Sequence, residues 1–167
     1  MSTTQVAIEN AIKAVNGVET TKVVKAAATT GTNAQFVAAL KDAAFTGYDS
    51  ANDAANDAAY WAAKTSFNAV TTVAQVDAAI AQVNVDVVAA AITAPTYSIA
   101  TSGTTTPVLP TVPTGYTIAV KTSATPAAYA ADGKLVAAGT SAVVYTVTHT
   151  ASTKTADSVS VTVTVTP

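Results

Sequence analysis

The chain has 167 residues, with eight lysines, no arginine, ten acidic residues, no cysteine and a net charge of −2. Lack of arginine leaves no planar fork for phosphate or carboxylate, and the absence of a basic cluster argues against nucleic acid or an acidic membrane surface as partners. Lack of cysteine excludes disulfides, thiolate catalysis and cysteine-based zinc sites.

The N-terminal half is rich in Ala and free of Pro, a composition that favours helix. A hydroxyl residue followed three positions later by Gln marks helix starts at Ser2–Gln5, Thr32–Gln35 and Thr72–Gln75, with Ser50 and Asp53 a looser case. Apolar residues follow at helical spacing: Ile8, Ala11, Ile12 and Val15; Phe36, Val37, Leu40 and Ala44; Val73, Val76, Ile80 and Val83. Between Ser50 and Phe67 a stripe of Ala54, Ala58, Trp61 and Thr65 places Trp61 in the core. Gly17, Gly31 and Gly47 stand where helix C-caps are expected, with one further helix between Glu19 and Ala28. The template T-x-A-Q-φ-x-A-A-φ occurs at Thr32–Leu40 and again at Thr72–Ile80, one helix-pair repeat apart. These signals predict an antiparallel bundle of four or five helices over residues 1–94.

Composition changes at residues 93–96, and all six prolines lie at Pro95 or beyond. There the apolar period becomes two. Tyr116, Ile118 and Val120, then Val143, Tyr145 and Val147, then Val159, Val161, Val163 and Val165 alternate with Thr, Ser or Ala, as in half-buried strands. Short strands are expected at Tyr97–Ala100 and Lys134–Ala137, a tight turn at Asp132–Gly133, and a hairpin closed by Ala151–Ala156. Short, regularly spaced strands predict a sandwich over residues 95–167. The fold class expected is therefore α+β in two segregated parts.

The order of Pro113-Thr-Gly-Tyr-Thr-Ile-Ala-Val, Ala131-Asp-Gly-Lys-Leu-Val, Val143-Val-Tyr-Thr-Val-Thr and Val159-Ser-Val-Thr-Val-Thr-Val resembles a bacterial immunoglobulin-like module over residues 96–167. The tryptophan often found in that family's central strand is not matched, Ala119 lying near its place. The resemblance implies an Ig-like β-sandwich and a role as spacer, assembly or carbohydrate-binding unit in surface-layer proteins, adhesins or tailed-phage virions.

Candidate sites are few. His149 is the only histidine, and neither a second histidine nor a cysteine exists to join it in a metal or catalytic site. Asp49, Asp53 and Asp57 fall on one helix face, but calcium needs six to eight converging oxygens and such a face diverges. A solvated acidic face is the simpler reading. Glu9 and Glu19 are the only glutamates, and no nucleophile–base set or phosphate-cradling Gly loop can be assembled. No catalytic, cofactor or metal residue is assigned, and a non-enzyme is expected. Ala, Thr and Val make up more than half the chain, so the core is thin in apolar area and self-assembly or docking on a particle is expected. Val83–Ile92, apolar nearly all round, must be covered either by the Ig-like module or by another subunit, and another subunit or a particle surface is expected. No apolar run reaches the length of a transmembrane helix, and Met1–Gln5 lacks the features of a signal peptide. The expected function is a virion capsid or tail decoration subunit. A secreted surface-layer or adhesin fragment, spacing domains or binding glycan, is the alternative.

Overall fold

The computed structural model describes residues 3–42, 44–48 and 53–167. The chain divides into two compact units, residues 1–84 and 85–167. The change in composition at residues 93–96 thus falls inside the second unit.

The first unit contains α1 (Thr3–Thr30), α2 (Asn33–Leu40), α3 (Asp53–Ala62), a 3-10 turn (Lys64–Phe67) and the larger part of α4 (Val73–Ala90). α1 is one helix of 28 residues. The break expected at Gly17 does not occur, and Glu19–Ala28 is the second half of α1. Gly17 serves close approach instead: a Cβ there would come within 2.9 Å of a Val73 methyl. Gly31 follows the end of α1, its N–H donating to Ala27 O at 3.0 Å, while Gly47 lies in the loop between α2 and α3.

Two capping boxes form. The Gln35 N–H donates to Thr32 Oγ1 at 3.3 Å, and the Thr32 N–H donates to Gln35 Oε1 at 2.9 Å. Thr72 and Gln75 repeat this at 3.3 Å and 3.2 Å. Both copies of the repeated template therefore start a helix; α2 stops after 8 residues and α4 runs for 18. The caps expected at Ser2 and Ser50 lie outside the described residues.

The core of this unit joins Val24 and Ala28 of α1, Phe36 and Leu40 of α2, Tyr60, Phe67, and Val76 and Ile80 of α4. Phe36 and Phe67 meet edge to face, 5.2 Å between centroids. The inner stripe of α3 runs through Asn56 and Tyr60, one position away from the expected one. Trp61 is half-buried instead, packed on Phe36 with the Lys64 ammonium 3.9 Å above its ring. The buried Tyr60 hydroxyl donates to Asn84 Oδ1, and Asn84 Nδ2 donates to Gly47 O at 2.8 Å.

The second unit holds β1 (Thr96–Ser98), α5 (Ile99–Ser102), β2 (Tyr116–Ser123), β3 (Gly139–His149), β4 (Thr155–Asp157) and β5 (Val161–Thr166). They form one sheet in the order β1-β5-β3-β2, with β4 also beside β3. β1 runs parallel to β5, and the other pairs are antiparallel. β3 is long enough to pair with β5 over Gly139–Val143 and with β4 over Thr146–Thr148.

The expected Ig-like sandwich is overturned, because a sandwich needs two sheets face to face and the described residues form one mixed sheet. The expected segregation fails too: α5 stands between β1 and β2, and the last turns of α4 belong to the sheet's core. The strand expected at Lys134–Ala137 is reduced to a bridge between Tyr129 and Leu135 around the Asp132–Gly133 turn, where Gly133 has φ 82°. The physical reason is plain. Val/Thr alternation specifies a strand with one buried face, but not what covers that face. Here Val85 and Ala89 of α4 and Ile92 just beyond its end, with Tyr129 and Leu135, pack on Val143, Tyr145, Val147, Val161, Val163 and Val165. Within Val83–Ile92, expected to meet another subunit or a particle surface, Val85, Ala89 and Ile92 are thus buried in the sheet's core, while Asp86, Ala90 and Ala91 are exposed.

By length and a mean hydropathy of 1.3, α4 could span a membrane. Burial in two cores accounts for that apolarity: Val76, Ile80 and Val83 in the first unit, Val85 and Ala89 in the second.

Candidate interaction surface

α1 has two faces of opposite fate. Gly17, Thr21, Val24 and Ala28, spaced 4-3-4, are buried. On the other side run Ile8, Ile12, Val15, Glu19, Val23, Ala26 and Thr30, all exposed. Ile8, Ile12, Val15 and Val23 are 55%, 53%, 62% and 56% exposed. An apolar helical stripe is ordinarily the face that meets a core; among the described residues this one meets none, and contiguous exposed apolar surface marks interaction sites.

The two halves of the stripe differ in shape. Ile8, Ala11, Ile12, Val15 and Asn16 line a shallow, mostly apolar hollow of about 320 Å³. From Val23 onward, α2 rises beside α1, and the two helices enclose a groove of about 740 Å³. Its walls are Val23, Ala26, Ala27, Ala38 and Ala39, with Thr30, Gln35 and Asp42 at the rim. Glu19, midway, pairs with Lys22 at 2.7 Å. Sequence reasoning took Ile8, Ile12 and Val15 for core and missed the groove altogether. The signal was present: the 4-3 spacing of positions 8, 12 and 15 repeats at 19, 23 and 26. It becomes visible once Thr3–Thr30 is read as one helix.

The second unit presents a different surface. One sheet face is the core; the other carries Thr117, Ala119, Ala142 and Thr162, all exposed, in the uncharged pattern seen in the sequence. Lys121 pairs with Asp157, which also accepts from Thr146 Oγ1 at 2.7 Å. Those partners, Lys121 first, hold the Asp157 carboxyl below its ordinary range. Lys121 sits at the irregularity of β2 between Val120 and Thr122, and a bulged, charged edge strand resists pairing with a further strand. Behind the sheet, Tyr97, Tyr129 and Tyr145 cluster. Tyr129 donates to Val108 O at 2.6 Å, whereas the buried Tyr97 hydroxyl has no hydrogen-bond partner among the described residues. Burial, then the neighbouring Tyr129, pushes the Tyr97 phenol up to about 12; burial also raises Tyr129 and Tyr145.

The residues singled out in the sequence fall as follows. His149 Nδ1 lies 2.7 Å from Ser152 Oγ and its ring packs on Tyr116, so it braces the loop after β3. Asp57 accepts from the Tyr48 hydroxyl and lies 3.7 Å from Lys41 Nζ, an ion pair rather than a cation cage. Asp49 lies outside the described residues. Among the described residues no three His, Cys, Asp or Glu side chains come together as a metal site.

Comparison with protein-family models, with curated proteins and with solved structures finds no match to this chain.

Proposed function

We propose that this chain is a non-enzymatic structural subunit that acts by assembly, of the kind that decorates a virion capsid or tail. The observation that carries this reading is the outward face of α1, where Ile8, Ile12, Val15 and Val23 face solvent in a protein that has only six isoleucines and three leucines. Each would stabilise a core by about 1.5–3 kcal/mol if buried, so a sequence that leaves them out gains something from the exposure. Supporting it, the sheet carries a Thr-coated, nearly uncharged face suited to display. That second feature equally favours a cell-surface role, as in surface-layer proteins, which stands as the alternative.

Fractionation of the source material tests this reading. The chain should copurify with assembled particles, or with the cell envelope under the alternative, at a stoichiometry of many copies. Recovery only as a soluble component, with turnover of a small molecule dependent on it, would overturn it.

A further inference from the structure

Between α5 and β2 the chain runs from Gly103 to Gly115 without helix or strand. Connections beyond about 12 residues are uncommon inside a compact unit and are usually functional. This one reads Gly103-Thr-Thr-Thr-Pro-Val-Leu-Pro-Thr-Val-Pro-Thr-Gly115, and no charged residue occurs between Asp86 and Lys121.

The segment is stiff and tied down. Pro107, Pro110 and Pro113 fix their own φ, and Thr106, Leu109 and Val112 before them are confined to extended backbone. No residue from Thr104 to Thr114 has positive φ, whereas Gly103 and Gly115 at its ends have φ 68° and 90°. The Val108 N–H donates to Gly133 O at 2.8 Å, and Val108 O accepts from the Tyr129 hydroxyl at 2.6 Å. Leu109 lies so close to Gly133 that a Cβ there would come within 2.9 Å of its methyl. Val108, Leu109 and Val112 pack on the sheet's core, while Thr104, Thr105, Thr106 and Thr111 are exposed.

The hydroxyls of this strap stand apart from others in the chain. Thr21 and Thr29 donate to carbonyls one helical turn back, Thr146 to Asp157, Thr150 to Gly115 O and Thr166 to Tyr97 O. The hydroxyls of Thr104, Thr105, Thr106 and Thr111 make no hydrogen bond among the described residues.

We infer that Thr104, Thr105 and Thr106, with Thr111 beyond them, are acceptor sites for O-linked sugar, transferred by a glycosyltransferase from a nucleoside-diphosphate sugar. The inference goes beyond the assembly reading and does not depend on it. In the transfer, Thr Oγ1 attacks the anomeric carbon of the donor sugar. The bond from that carbon to the phosphate oxygen breaks, the nucleoside diphosphate leaves with the electron pair, and the hydroxyl proton passes to a base of the transferase. The acceptor must offer a free hydroxyl on an extended, projecting backbone that an enzyme cleft can take without unfolding the protein, and the strap does so. A Thr-rich composition broken by prolines is that of O-glycosylated segments.

Charge favours a sugar over a phosphate on the same hydroxyls. A phosphothreonine is held by cationic side chains and repelled by carboxylates. Beside Gly133, where the strap docks, Lys134 Nζ is already paired with Asp132 at 2.6 Å. A neutral sugar needs no counter-charge.

Trypsin cuts after lysine and leaves the strap in one peptide, Thr65–Lys121. The full chain recovered from its own source should exceed the mass of its sequence by whole sugar residues, and peptide mapping should place the excess in Thr65–Lys121. A Thr104→Ala, Thr105→Ala, Thr106→Ala chain made in the same cells should lose most of that mass, and Thr111→Ala added to it should remove the rest. Its melting temperature should change little, because none of the deleted hydroxyls is hydrogen-bonded. A source chain with the mass of the bare sequence would overturn the proposal. So would sugar confined to other peptides, an excess that a phosphatase removes, or added mass that persists in the chain lacking all four hydroxyls.

Discussion

Ile92 and Ile12 are the same residue type in opposite circumstances, and truncating each tests the placement of α4 and α1 together. Ile92 is 7% exposed and packs in the sheet's core, whereas Ile12 is 53% exposed on the outer face of α1. Ile92→Ala removes the transfer energy of the lost methylenes and leaves a cavity, which for a buried Ile costs about 2–5 kcal/mol. A unit the size of residues 85–167 has a total stability of roughly 4–12 kcal/mol, so this one change takes a large share of it. Ile12→Ala removes no buried contact in the monomer and should change stability by less than about 0.5 kcal/mol. Urea unfolding of the full chain separates the units. The single tryptophan, Trp61, reports on the first, and near-ultraviolet circular dichroism of the tyrosines reports mostly on the second, which holds four of the six. Ile92→Ala should move the tyrosine transition to markedly lower urea and the Trp61 transition less. An Ile92→Ala protein as stable as the parent would mean that Val85, Ala89 and Ile92 do not cover the sheet.

Two tyrosines of one cluster should respond oppositely to loss of the hydroxyl: Tyr129→Phe leaves Val108 O without its donor and should cost about 1–3 kcal/mol, whereas Tyr97→Phe removes an unpaired buried hydroxyl and should be neutral or stabilising. In alkali the phenols of Tyr97, Tyr129 and Tyr145 lie above their ordinary value in the folded state, so the stability they contribute is complete below about pH 10 and is lost as pH rises beyond it, through about 12 for Tyr97. Absorbance at the tyrosinate band should show these three ionising only as the sheet unfolds; full ionisation of all tyrosines near pH 10 with the sheet intact would contradict their burial. Thr72→Ala removes the cap of α4 and should cost about 0.5–2 kcal/mol in thermal unfolding, and Thr32→Ala a similar amount at α2.

Local signals in the sequence were read well where the chemistry was local. Thr32–Gln35 and Thr72–Gln75 form capping boxes because all the atoms involved lie within four residues of one another. Tyr116–Val120, Val143–Val147 and Val161–Val165 became strands because alternation is a property of the segment itself. What failed depended on distant residues. Gly17 resembles a helix end unless one knows that Val73 approaches it. Trp61 and Tyr60 compete for the core on adjacent positions, and the distant partners of Tyr60, Tyr48 and Asn84, lie beyond the reach of local spacing. The Ig-like expectation treated the sheet as needing a second sheet, when the last turns of α4 supply the cover. Ile8, Ile12 and Val15 read as core because apolar helical spacing carries no information on whether the partner lies in the same chain. No constellation of site residues was legible, and the outward stripe emerged only once Thr3–Thr30 was seen to be one helix with its other face buried.

The claim that the outward face of α1 is an assembly surface is tested most directly by sedimentation equilibrium of the full chain and of Ile12→Asp over a matched range reaching several hundred micromolar. The parent should show reversible self-association. The variant, with helicity and unfolding midpoint little changed, should remain a monomer, because the charge would be buried in the contact. A parent that stays monomeric throughout the range, or a variant that associates as strongly as the parent, would contradict the reading of this face as a surface of self-assembly.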